Sequence, residues 1–566
     1  MLLLALIIIV WLVLAFRMTH HFLQFFQIEE YDNQRFQAWA GRNFWFFNQA
    51  IIWLYLVLAS LNVLAVILVL FLPALSPVFV SIFLILLWGA AGIYLIVTHW
   101  KTRTQVKKAL VYTQRARRLL VVAWVVQALL PIAFVGLIWG VQVASYVPTT
   151  EWLPDAFAIF SAAASVALST VLAPYWLIVA NILLAPFEAA MRNRYRTMAQ
   201  ARLHKTSAVA IGITGSYGKT STKDIIAALL ETRYSVVKSP QSYNTLMGIC
   251  KIINRGDVQP QHEYFVVEAG AYTTGEIASI VTLVKPKVGV LTAIGPQHLE
   301  RFGTIEAIAK AKYEIMAGLP PNGLGVFNAD DERVYALAKQ AGHVPVALYG
   351  FRQHLAELTT IAEDVRMSPE GMCFTVVYRP TGERADVRTR LLGMHTVSNL
   401  LAAITVALHC GVPLTQIVRT IAALAPTPHR LELKSGAGGT TILDDAYNSN
   451  PVGACNALEV LGMFTQGQRI LVTPGFIELG PLEAEENHRL GAAAASTADY
   501  AILVGVAQRT DPIKEGLLAA GFAAERIMQV PGLQEGIIQL RSITRPGDTV
   551  LLLNDLPDTY ELVAAA

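Results

Sequence analysis

Gly212 to Leu230 reads GITGSYGKTSTKDIIAALL: an apolar strand, a glycine-bent loop ending in a Lys-Thr pair, and an amphipathic run. That order suits phosphate chemistry. Backbone N–H groups at a helix N-terminus receive phosphate oxygens, the lysine reaches the terminal phosphates, and the adjacent hydroxyl helps to hold Mg²⁺. Gly215, Ser216, Gly218, Lys219, Thr220 and Ser221 would form this cradle. Its spacing is GxxGK[ST], because Ile213 stands where the longer GxxxxGK[ST] form needs a glycine. A generic P-loop ATPase or transporter subunit is therefore the poorer match.

Two further residues end apolar strands. Glu268 closes YFVVE, and His298 follows VGVLTAIGPQH. Both fall at the C-terminal edge of a parallel sheet, where ligands of such sheets bind. On residue type alone, Lys312 in AKAKYEI reads as a solvated helix residue, Asn328 in FNADDE as a turn residue and Asn399 in HTVSNLLAAI as a helix cap. A nucleotide phosphate held there must have its charge neutralised and be kept in line with its acceptor.

The stretches GSYGKTSTK, SYNTLMGI, VVEAGAYTTGEI, LTAIGPQHLERFGT, AKAKYEI, FNADDE, GMHTVSNLLAA, HRLEL and DDAYNSNP follow one another between about Ser207 and residue 510. In content and order they resemble the Mur ligases, the ATP-dependent amide ligases of peptidoglycan synthesis, and most closely the MurF branch that adds D-alanyl-D-alanine. The resemblance implies ATP and Mg²⁺ as cofactors. It makes Lys219, His298 and Lys312 catalytic, with Thr220, Glu268, His298 and Lys312 around the metal and Lys312 carried as a carbamate. Asn328 and Asn399 would sit near the nucleotide, Arg430 would meet the phosphates, and Asp445 would accept hydrogen bonds from the ribose, with Tyr447, Asn448 and Asn450 completing that loop.

The chain also departs from the family pattern. His395-Thr396 stands for His-Asn, TPGFIELG puts Gly475 where an Asp is expected, and NDLPDTY replaces a Lys-Gly-Ser-Arg type loop near the end. Apolar runs, expected to be membrane helices, stand where the resemblance implies a soluble domain that grips a UDP-sugar nucleotide.

The elements that must carry these residues fall into two classes. At 566 residues the chain has room for three to four domains, and a mean hydropathy of +0.47 with 15% charged residues is apolar for a soluble protein. The excess lies before about residue 190, in apolar runs at about 1–16, 50–72, 78–98, 119–141 and 156–185. Segments 17–49, 101–118 and 186–205 hold three, seven and five Lys or Arg, whereas 73–77 and 142–155 hold none. Five crossings with the N-terminus outside fit that alternation and leave the rest cytoplasmic. No Asp, Glu, Lys or Arg interrupts the middle of an apolar run, which argues against a pump. The basic run at 101–118 reads as a positive-inside determinant, with contact to anionic lipid as the sharper alternative.

After residue 205, strand and helix patterns alternate as in an α/β protein, with the prolines of ALAPTPHRLEL marking a boundary. The expected organisation is a membrane region over 1–190, a basic linker over 191–206, a P-loop central ATP-binding domain over 207–427 and a Rossmann-like α/β domain over 428–566. A net charge of +3 makes no case for nucleic acid, and four scattered cysteines indicate neither disulfides nor zinc.

The expected activity is a membrane-anchored ligase joining a carboxylate of a UDP-linked or lipid-linked muropeptide to an amino acid or dipeptide such as D-Ala-D-Ala. Three alternatives stand beside it: a ligase for another acid, such as a polyglutamate or capsule precursor, an ATP-driven transporter or flippase, and an ATP-sensing scaffold. A transporter would need a Walker B strand ending in adjacent acids, and FVVEAG carries one acid.

Overall fold

A computed structural model describes residues 2–71, 77–98, 110–144, 168–240, 243–352, 354–446, 449–477 and 479–553. Tyr447, Asn448, the NDLPDTY stretch, residues 156–167 of the 156–185 run and residues 101–109 of the basic run lie outside the described residues. The chain divides into two units, Met1–Met191 with Pro557–Ala566, and Arg192–Leu556.

The first unit is helical. Its described helices include Leu2–Ile28, Phe44–Phe71, Pro77–Thr98 and Gln114–Ala144, and the helix Ala173–Leu203 begins in it. Trp11, Phe22, Phe25, Phe26, Phe36 and Trp88 form a closely packed aromatic core. Other large apolar side chains face outward, among them Trp53, Phe71, Phe79 and Phe83, each more than half exposed. The expectation of about five crossings narrows among the described residues. Two helices, Ile9–Ile28 and Ala173–Leu203, are long and apolar enough to cross a bilayer by length and composition, while Asn48–Leu64 and Ile82–Leu95 count as shorter apolar helices. Residues 191–203, within the expected basic linker, continue the last helix as far as Leu203.

The second unit holds two sheets. The first contains β1 (Val209–Thr214), β2 (Val236–Lys238), β3 (Tyr264–Glu268), β4 (Val288–Leu291), β5 (Leu324–Asn328), β6 (Val346–Gly350), β7 (Leu358–Ser368), β8 (Gly371–Tyr378) and β9 (Glu383–Thr389). Their order is β2-β3-β1-β4-β5-β6-β7-β8-β9, parallel as far as β7 and antiparallel across the last two pairs. The parallel strands read as continuous apolar runs because helices cover both faces. Ile211, Ile213 and Val266 pack on one side with the helix Lys219–Leu230, and Phe265 and Val267 pack on the other.

The second sheet contains β10 (Glu432–Ser435), β11 (Thr441–Asp445), β12 (Arg469–Thr473), β13 (Tyr500–Val504), β14 (Ile527–Val530) and β15 (Thr549–Leu553), in the order β10-β11-β15-β12-β13-β14. Only β10 runs antiparallel, so this is the second open α/β sheet expected from TTILDDAY, RILVTPG, YAILVG and DTVLLLN. Between the sheets, residues 424–431 carry two prolines and two non-glycine residues with positive φ, His429 at 61° and Leu431 at 48°. That backbone is costly for L-residues, and it brackets Arg430.

Candidate active site

The phosphate loop links β1 to the helix Lys219–Leu230. Two glycines make it possible. Gly215 has φ +151° and lies so close to Thr292 that a Cβ could not fit, and Gly218 has φ +79° with its Cβ position filled by the Asn399 amide oxygen. Ser216 serves the loop itself: its N–H donates to Ala293 O at 2.7 Å, and its hydroxyl exchanges hydrogen bonds with Gly295 at 3.0 and 3.1 Å. Lys219 Nζ turns back onto the loop, donating to Gly215 O at 2.7 Å and Ser216 O at 3.0 Å. Burial pulls its pKa down to about 8, against the pull of Glu268 upward and with the push of Arg430 downward.

Thr220 points the other way and donates to Glu268 Oε2 at 2.9 Å. Glu268 ends β3, paired with β1 through Ile213, so sheet register puts its carboxylate beside the loop. It is buried, and Asn244 Nδ2 donates to its Oε1 at 3.2 Å. A hydroxyl beside a buried carboxylate fits Mg²⁺, which favours one or two protein oxygens and takes its other ligands from phosphates and water. Among the described residues no cluster of three or more His, Cys, Asp or Glu is assembled.

Two cavities flank the loop. One, of about 300 Å³, is lined by Lys219, His298 and Lys312 together with Asn244, Tyr272 and Glu276. His298 has φ 59°, a strained conformation that turns the chain into the short helix Leu299–Phe302, and its ring packs edge-on against Tyr272 at 4.7 Å between centroids. Lys312 is not the solvated residue its charge alone suggests. It is 3% exposed, its Nζ lies 5.9 Å from the Phe302 ring centroid, and burial followed by the nearby Lys219 charge holds its amine well below the usual lysine range.

The other cavity, of about 800 Å³, is lined by Gly218, Ser221, Asn328, Asn399, Arg430 and Asp445, among others. It therefore joins residues from both sheets. Asn328 ends β5 and works as a tie: its Nδ2 donates to Thr292 O at 2.9 Å and its Oδ1 accepts from Asp330 N at 3.0 Å. Asn399 is not a cap, since its helix begins at Met394, and its Oδ1 accepts from Thr222 at 3.2 Å. Thr396 donates to Leu392 O at 2.7 Å, so its hydroxyl is used on the backbone just ahead of its own helix. His395 also lines this cavity, and burial pulls its pKa down to about 4, with Arg430 acting in the same direction.

At the end of β11 two adjacent aspartates part company. Asp444 accepts from Lys434 Nζ at 2.6 Å and lies 2.8 Å from His429 Nδ1. Asp445 faces the cavity, and burial pushes its carboxyl up to about 6 against the pull of Arg430 and a hydrogen bond from Leu431 N. Asn450 caps the helix Pro451–Gly462 from the same rim.

Gly475 has φ +82°, and a Cβ there would meet Asn487 Oδ1 at 2.5 Å. The buried Asn487 amide accepts from Phe476 N at 2.7 Å and donates to Phe476 O at 3.0 Å. An Asp at this position would have to displace that bridge.

The sequence reading did not single out Asn244, Tyr272, Glu276 or Lys223. All four lie within quoted stretches, Asn244 in SYNTLMGI, Lys223 in GSYGKTSTK, and Tyr272 and Glu276 in VVEAGAYTTGEI; after β3 the Glu276 carboxylate accepts from Tyr272 N at 2.7 Å and Thr273 N at 3.1 Å.

Known protein domains match both sheets of this unit. The Mur ligase middle domain matches residues 213–407, and the Mur ligase, glutamate ligase domain matches residues 429–554. The UDP-N-acetylmuramoyl-tripeptide--D-alanyl-D-alanine ligase of Mycobacterium leprae (strain TN) is 30% identical over 365 residues, covering 60% of this chain and 70% of the relative. The enzyme of the same name from Escherichia coli (strain K12) is 31% identical over 334 residues, covering 59% and 72%. Among solved structures, MurF from Acinetobacter baumannii superposes with a TM-score of 0.58 at 26% identity, over 64% of this chain and 77% of that one. MurF ligase from Thermotoga maritima in complex with ADP gives 0.56 at 25% identity, over 64% and 80%. This chain belongs to the Mur ligase family, enzymes that form amide bonds at the expense of ATP.

Proposed function

We propose that this enzyme joins D-alanyl-D-alanine to the terminal carboxylate of a muramoyl tripeptide, and that its helical unit anchors it in the membrane with the ligase unit on the cytoplasmic side. The observation that carries the chemistry is the division of labour around the loop. Thr220 and Glu268 form an oxygen pair for Mg²⁺ at 2.9 Å, while Lys219 and Lys312 share a cavity with His298. Mg²⁺ held there would neutralise phosphate charge. Lys219 would bind the β- and γ-phosphates, Arg430 would meet them from the second sheet, Asn399 would line the base pocket, and Asp445 would accept from the ribose. The carboxylate substrate would occupy the smaller cavity beside His298.

Burial lowers the pKa of the Lys312 amine, which favours the uncharged form that would attack CO₂ in carbamate formation. Nζ would form the N–C bond and release a proton, exchanging a buried neutral amine for an anion suited to a second metal position. Membrane anchoring is supported by the outward-facing aromatic and aliphatic side chains of the helices Phe44–Phe71 and Pro77–Thr98 and by the basic residues that follow apolar runs.

The test is direct: incubate detergent-solubilised protein with ATP, Mg²⁺ and D-Ala-D-Ala, offering either the UDP-muramoyl tripeptide or its lipid-linked form. A product mass increased by the dipeptide less one water, in step with ADP, is expected. ATP turnover indifferent to both acceptor and amine would overturn the reading. Carbonate extraction of membranes should leave the full chain in the pellet, and release into the supernatant would refute the anchor.

A further inference from the structure

Lys223 is 1% exposed, yet no step proposed above uses it. It lies one helical turn beyond Lys219 and three residues beyond Thr220, so Thr220 and Lys223 share a face of the helix Lys219–Leu230. Both reach the same atom. Thr220 donates to Glu268 Oε2 at 2.9 Å, and Lys223 Nζ lies 3.6 Å from that oxygen. The neighbouring Asp224 is served from outside by Lys238 at 2.9 Å, compared with 3.9 Å to Lys223. Asn244 holds the other oxygen, Oε1, at 3.2 Å. A carboxylate that is 2% exposed is thus met by two neutral donors and one cation.

We infer that Lys223 is a positioning residue for the Glu268 carboxylate: a built-in cation that compensates and orients it, so that Mg²⁺ meets a fixed oxygen rather than having to create one. The inference rests on the reading of Glu268 as a metal ligand. Its physical basis is asymmetry: in a buried ion pair the mutual attraction offsets much of the desolvation cost, whereas removing one partner leaves the other charge poorly compensated and destabilises strongly. Removing the lysine should therefore penalise the protein most when no other cation is present, and Mg²⁺ should make good part of the loss.

Thermal unfolding of the full chain in detergent, in EDTA and in Mg²⁺, tests this without turnover. Lys223→Met should unfold earlier in EDTA and regain roughly 5 °C or more in Mg²⁺, while the unsubstituted protein and Lys223→Arg shift little. Adding Glu268→Gln should raise the Lys223→Met unfolding temperature and abolish its Mg²⁺ response. Should Lys223→Met fail to fold, recovery of folding in the double variant supports the coupling, and failure of both overturns it. An equal drop in EDTA and Mg²⁺, or additive single and double variants, would reduce Lys223 to a packing residue. Mg²⁺–ADP affinity of Glu268→Gln separates the two readings. If it is unchanged, the metal-ligand assignment falls. If it is weakened without coupling to Lys223, only this inference falls.

Discussion

The two units of the chain solve burial in opposite ways. In the ligase unit, Val266, Val267, Leu400 and Leu401 lie at 0% exposure, and polar groups are buried where they hold the site, as Glu268, Lys312 and Asn399 are. In the helical unit, Phe71 and Phe79 stand 79% and 77% exposed, while Glu188 is 6% exposed and held by a two-point contact from Arg118 at 2.7 and 2.9 Å. In one, apolar surface is removed from water by packing. In the other, it is left on the outside, and the proposed membrane anchor rests on that exposure. The same side chains therefore carry different weight in the two halves: exposed apolar groups bear on the proposed anchor, and a buried lysine bears on the candidate site.

That contrast can be broken in graded ways. The largest effect is expected for Lys219→Ala, which should lower kcat/KM at least about 10³-fold, in line with loss of a charged group acting on transferring phosphate. Membrane sedimentation should be unaffected, and any redistribution to the soluble fraction would deny the independence of the two units. Next comes Leu401→Ala, in the fully buried core of the first sheet, which should cost about 3 kcal/mol by denaturant titration of the ligase unit.

A smaller effect follows from charge. Lys219 titrates at about 8, so its cation is present below that pH and lost above it. Asp445 titrates at about 6, so its anion is present above that pH and lost below it. ADP affinity measured calorimetrically should therefore be highest between about pH 6 and 8 and fall on both sides, and Asp445→Asn should flatten the acid limb alone. A single-sided profile in the unsubstituted protein would show that one of the two groups does not face the nucleotide. The smallest effect is expected for Leu64→Ala. That side chain is 50% exposed on the helix Phe44–Phe71, so stability in detergent should change by no more than about 0.5 kcal/mol. A loss comparable to Leu401→Ala would mean that Leu64 is packed against protein.

Much of the site was legible because its residues sit at strand ends and at a glycine-bent loop, where sequence pattern and backbone position coincide. Gly215, Gly218 and Glu268 are of this kind: the conformation or edge position demands the residue type. Asn399 and Lys312 were not legible from their types, since a mid-helix asparagine and a helical lysine are ordinary on a surface. It took resemblance to mark them and packing to bury them. The reading of five crossings rested on apolar length and on the alternation of Lys and Arg between the runs, and apolar length weighs burial inside a helical bundle and contact with lipid alike; half of the Ile9–Ile28 window is buried inside the structure.

By itself the sequence determined the alternation of apolar strands and helices after residue 205, the shortened phosphate loop set by Ile213, and the apolar character of the first 190 residues. These are local properties, fixed by side-chain periodicity and by what glycine allows. Only the tertiary structure decided which polar groups meet. It set Thr220, Lys223 and Asn244 around one carboxylate, turned Asp444 to a lysine and Asp445 to a cavity, and replaced a side chain at Gly475 by the amide of Asn487. Those pairings depend on strand register and helix rotation, which bring together residues far apart in the chain and leave no periodic trace in it.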